Sequence, residues 1–153
     1  MNNNLFFSIA IPFYYKNEYS LEQLIRCVNS IKSQTFKSYE IVISAQNYYK
    51  ELINNPYFEN VKILNAKSQS FIQGNLNNAI NSCEGKWIKI IFSDDYFLEN
   101  LSLEKIYDAL FKCKAKWAVT NSLHFNRDRK KFFNPILAFY NKYILEINTI
   151  GSP

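Results

Sequence analysis

Two kinds of segment alternate along this chain, and that alternation limits its fold more than any other feature. Residues 6–11, 40–44, 61–64, 87–92 and 117–120 are short apolar runs rich in β-branched and aromatic side chains, the signature of buried strands. Pro12 stops the first. Between the runs lie segments with apolar residues at helical spacing. In the first of these, Ser20 reads as the helix cap, with Gln23 three residues on and Tyr19 stapled to Leu24. Leu21, Leu24, Ile25, Val28 and Ile31 supply its apolar face, and it ends near Gln34. A weaker helix covers 48–54, halted by Asn55-Pro56. Gly74 precedes a short helix through Asn77, Ala79 and Ile80 that ends at the turn 83–85. Residues 101–114 form another helix, and Asn134-Pro135 opens a last one reaching about Tyr143. Such alternation predicts an α/β architecture, with a mostly parallel central sheet flanked by helices on both faces.

Composition narrows the function classes. With 48% apolar and 20% charged residues, the chain can form a core and is not disordered. It has no run of roughly 20 apolar residues for a membrane span, and its start shows no secretory signal. Cys27, Cys83 and Cys113 lack metal-ligand spacing and read as reduced thiols of a cytoplasmic protein. The net charge of +5 suits an anionic ligand. The basic stretch 127–131 contains Asp128 and reads as a solvated loop, not a nucleic-acid site. Phe132 and Phe133 beside it give a lesser reading, peripheral contact with a membrane.

In open α/β sheets, ligands bind beyond the carboxyl ends of the strands. Three such ends carry informative residues: Pro12-Phe13-Tyr14-Tyr15-Lys16-Asn17-Glu18, Ser44-Ala45-Gln46-Asn47 and Ser93-Asp94-Asp95-Tyr96. Adjacent carboxylates repel unless a cation is shared or solvent screens them. Hard divalent ions often bind through one or two carboxylates plus substrate phosphates. The bland alternative is a turn in which an aspartate only caps the next segment.

Taken in order, these pieces resemble family-2 glycosyltransferases. Residues 8–16 resemble the family's opening strand, which ends in Pro, any residue, Tyr or Phe, then Asn. Residues 40–43 resemble its second strand, 77–95 the stretch leading into its DXD metal motif, and 148–153 a segment beyond that motif. The resemblance implies a GT-A, Rossmann-like nucleotide-sugar-binding fold and transfer of a sugar from a nucleoside diphosphate to an acceptor hydroxyl. It assigns Asp94 and Asp95 to Mn²⁺ or Mg²⁺, and Pro12, Phe13, Tyr14, Glu18, Gln46, Asn77 and Asp94 to the donor. The implied acceptor is a glycan or lipid-linked hydroxyl of surface-glycan synthesis, at the inner face of the membrane.

Departures from the family pattern are specific. Tyr15 stands in place of the strand-end Asn, Ala45-Gln46 in place of an acidic pair, Phe92 in place of the first DXD acid and Leu76 in place of an Arg. For a catalytic base the candidates are His124, Asp128 and Glu146, none of them marked out by its surroundings. The expected organisation is a tail over 1–4 and a donor-binding domain over 5–153 whose acceptor half is incomplete, with apolar surface that a second copy would cover. A non-catalytic donor-binding domain is the alternative. An unrelated nucleotide-binding α/β fold is disfavoured, because no glycine-rich phosphate loop is present.

Overall fold

β1 (Phe7–Tyr14) is buried from Phe7 through Phe13, which explains why its sequence is continuously apolar instead of alternating. In the computed structural model, which describes residues 5–66, 71–112, 116–120, 122–125 and 131–134, this strand lies inside a four-stranded parallel sheet. β2 (Tyr39–Gln46), β3 (Lys62–Asn65) and β4 (Trp87–Ile90) complete the sheet in the order β3-β2-β1-β4. Against one face pack α1 (Glu18–Lys32), through Leu24, Cys27, Val28 and Ile31, and α4 (Ser102–Lys112), through Leu103 and Leu110. Leu52 of the short α2 (Tyr49–Ile53) joins the same cluster. On the other face, Ala79 of α3 (Ile72–Ile80) meets Ala10 and Val42. Ile88 and Ile90, level with Ser8 and Ala10 in register, are exposed. Helices therefore cover both faces of a parallel sheet, as the alternation predicts.

Several boundaries differ from the sequence expectation for local reasons. Pro12 lies within β1. Ala10 accepts the Ile91 N–H at 3.1 Å, the last rung toward β4, and Pro12, two residues on, points to the same side. Its missing N–H falls where β4 has already ended, so no ladder bond is lost. The cap of α1 is Asn17, not Ser20. Asn17 Oδ1 accepts the Ser20 N–H at 3.1 Å, and Ser20 Oγ accepts the Asn17 N–H at 3.2 Å, a reciprocal capping box set one turn earlier. Gly74 lies inside α3, not before it.

The chain divides into two compact units, residues 1–113 and 114–153. In the second, β5 (Ser122–Phe125) and β6 (Lys131–Asn134) form an antiparallel pair. Residues 117–120, expected as a strand, do not form one; the ladder begins at Ser122. Strand propensity shows where a pleated surface would be tolerated, whereas pairing decides where it forms. The helix expected from Pro135 lies outside the described residues, as do Cys113 and the loop 126–130. Among the described residues, no helix is long and apolar enough to cross a membrane.

Entry into β4 depends on one glycine. A Cβ on Gly85 would lie 2.5 Å from the Ser8 nitrogen and 2.6 Å from the Phe7 carbonyl carbon. Here the chain closes on β1, where Trp87 N–H donates to the Phe6 carbonyl at 2.8 Å. Because backbone cannot yield as a side chain can, Gly85→Ala is expected to cost about 2 kcal/mol or more. A wild-type urea midpoint for this variant would contradict the packing described.

Candidate active site

Beyond the Ala10–Ile91 rung the sheet forks. β1 continues beside β2 in register, Phe13 with Ala45 and Tyr14 with Gln46. The chain leaving β4 instead turns toward α1, where Arg26 Nη2 donates to the Asp94 carbonyl at 3.0 Å. The order β3-β2-β1-β4 makes this fork the topological switch point, the place where open parallel sheets hold ligands.

The expected donor residues are arranged unevenly around it. Tyr14 is 57% exposed at the strand end, whereas Phe13 is fully buried in the core behind it. Pro12 is also buried. Tyr15 is tied to β2: its N–H donates to Asn47 Oδ1 at 3.2 Å, and Asn47 Nδ2 donates to its carbonyl at 3.1 Å. Asn47 does this with φ at 61°, a left-handed conformation that asparagine tolerates better than most residues. The Tyr15 ring stacks on Tyr48 at 3.9 Å. Its hydroxyl donates to Glu18 Oε1 at 2.7 Å, and this bond is the main reason its pKa is pushed up to about 12. Glu18 thus holds Tyr15 in place.

On α3 the structure brings Asn75 to the sheet, and leaves Asn77 exposed. Asn75, 3% exposed, donates Nδ2 to the Phe13 carbonyl at 3.0 Å, while its buried Oδ1 has no hydrogen-bond partner among the described residues. Asn78 Nδ2 donates to Ser44 Oγ at 2.8 Å. Helical spacing would have shown this, because positions three apart share a face and 75 pairs with 78, not with 77.

Asp94 and Asp95 are both exposed on the turn after β4, where the Asp95 N–H donates to the Phe92 carbonyl at 3.0 Å. Their field reaches α1. Burial pushes the Cys27 thiol up to about 12, Asp95 and Asp94 add to the shift, and Arg26 opposes it. Burial lowers the Lys89 pKa against the attraction of Asp95. Among the described residues, no group of three or more His, Cys, Asp or Glu side chains could hold a metal. An ion here would rest on two carboxylates and take its other oxygens from ligand and water, a shell that fits Mg²⁺ or Mn²⁺. Of the base candidates, His124 lies on β5 in the second unit. Asp128 and Glu146 are outside the described residues.

The sequence profile of Glycosyl transferase family 2 matches residues 8–151, from the second residue of β1 nearly to the end. The chain belongs to that family. Glycosyltransferase GlyA of Streptococcus pneumoniae is 26% identical over 141 residues, which cover 88% of this chain and 20% of that protein. A crystal structure of S. aureus TarS 1-349 superposes with a TM-score of 0.59 at 21% identity, covering 70% of this chain and 32% of that one. A second TarS crystal structure gives 0.53 at 19% identity, over 67% and 19% of the two chains. The likeness to TarS is one of fold, GT-A. This family-2 chain spans about a fifth of the length of GlyA.

The Asn75 contact can be tested directly. Asn75→Asp replaces the donor facing the Phe13 carbonyl with a buried carboxylate oxygen, at an expected cost of about 3 kcal/mol at neutral pH. Burial raises the folded-state pKa of that new carboxyl above its unfolded value of about 4. The folded state then binds the proton more tightly, so the deficit shrinks as pH falls through the raised pKa. Urea denaturation at neutral pH and near pH 4.5 measures this, and a deficit that does not change with pH would refute it.

Proposed function

We propose that this chain forms the donor-binding part of a glycosyltransferase that takes a nucleoside-diphosphate sugar at the fork between β1 and β4. One observation carries the reading. In a member of Glycosyl transferase family 2, an exposed tyrosine ends β1 and two exposed carboxylates follow β4, the two strands that flank the switch point. Tyr14 lines the base and ribose, with Gln46 beside it offering an amide that both donates and accepts. Buried Pro12 and Phe13 fix the strand end from below. Asp94 and Asp95 hold Mn²⁺ or Mg²⁺, which when bound supplies charge neutralisation to the departing diphosphate. The acceptor is a glycan or lipid-linked hydroxyl in surface-glycan synthesis, met at the cytoplasmic face of the membrane. The exposed apolar Ile88 and Ile90 support self-association.

A second reading, donor binding without turnover, draws on Phe92 and Ala45-Gln46, which stand where the family pattern has acids. Calorimetry with a panel of nucleoside diphosphates, with and without Mn²⁺, tests both. Binding is expected to need the metal and to fall at least about tenfold in Asp94→Ala. Absence of binding to every nucleotide, with or without metal, would overturn both readings. Turnover of a labelled donor sugar separates them.

A further inference from the structure

Arg26 and Ser30 stand four residues apart on one side of α1, and Gln34 continues that polar stripe just past the helix cap at Ser33. Each holds a different point on the irregular segment between the acidic turn and α4. Arg26 donates to the Asp94 carbonyl at 3.0 Å, and its guanidinium lies 4.5 Å from the centre of the Tyr96 ring. Ser30 Oγ accepts the Phe97 N–H at 3.0 Å. Gln34, fully buried, donates Nε2 to the Glu99 carbonyl at 2.9 Å and accepts the Leu103 N–H at 2.9 Å. Past the helix end, the Thr35 N–H donates to the Asn100 carbonyl at 2.9 Å. A segment that joins no strand is thereby held to a rigid helix at short intervals.

We infer that this stripe sets the position of the acidic turn and that Arg26 is a positioning residue for Asp94 and Asp95. The inference rests on the reading of those two side chains as cation ligands. Arg26 acts on the turn in two ways of opposite sign. Its positive charge, held at the Asp94 carbonyl, repels a metal ion at the same turn, so removing that charge alone would tighten metal binding. Its hydrogen bond and its packing on Tyr96 fix the backbone that aims the carboxylates, so removing those would weaken binding. Holding groups behind metal ligands typically contribute 10- to 100-fold in affinity, whereas one exposed charge contributes about fivefold or less. The positioning effect therefore prevails.

Two measurements on the 153-residue chain test this: Mn²⁺ affinity by electron paramagnetic resonance, and metal-free amide hydrogen exchange at Asp95 and Phe97. Arg26→Ala is expected to weaken Mn²⁺ binding about tenfold and to speed exchange at both amides. Arg26→Lys keeps an N–H donor and a cation over Tyr96, and is expected to lie closer to wild type than Arg26→Ala in both measurements. Wild-type or tighter Mn²⁺ binding by Arg26→Ala, or unchanged exchange, overturns the inference. If the wild-type chain binds no Mn²⁺, the cation reading fails on that result. Exchange at Asp95 and Phe97 then decides the positioning role by itself, with faster exchange supporting it and unchanged exchange overturning it.

Discussion

The unequal pairing of β1 is the constraint on which the rest of the structure depends. β2 accompanies it for its full eight residues, whereas β4 pairs only from Phe7 to Ala10. Parallel strands share rungs only while their backbones stay close, so the end of one partner opens a crevice beside the other. Tyr14 lies on the strand that continues past that opening, and Asp94 and Asp95 on the chain that departs from it. Pro12 sits at the one kind of position inside a central strand that it can occupy without cost, facing the side where the ladder has stopped.

α1 is shared by core and site. Its apolar residues anchor it to the sheet, and its polar stripe holds the segment after β4. The core therefore stiffens a region that has no regular structure of its own. A similar division appears on α3, where Ala79 packs on the sheet and Asn75 and Asn78 bond to its strands. Side-chain amides and hydroxyls, aimed at backbone groups near the strand ends, hold the site region together. Such bonds are modest singly, about 1 kcal/mol each, yet Gln34 makes several from a fully buried position where leaving them unmade would be costly.

Much of this was legible in the chain. The strand-helix order through α4, the parallel sheet and the acidic turn follow from local pattern, and the family from an ordered set of short motifs; the β5–β6 pair does not. The misplaced features share a cause. Ser20 satisfies the capping pattern locally, but Asn17 captures the helix because its side chain reaches the third residue of an earlier start. On α3, helical phase turns Asn75 inward, a residue the family motif did not single out. Glu18, which the resemblance assigns to the donor, also accepts a hydrogen bond from the hydroxyl of Tyr15, itself stacked on Tyr48, a contact that local pattern does not reveal.

By itself, then, the sequence determined which segments up to residue 112 become the strands and α-helices around the parallel sheet, in what order, and at which end of that sheet the polar residues gather. Periodicity is written in consecutive residues and needs no partner to be read. Only the tertiary structure decided where β4 leaves β1, which asparagine faces the sheet and which helix side chains hold the acidic turn. Those outcomes depend on register between segments dozens of residues apart, and a shift of one residue there changes every contact.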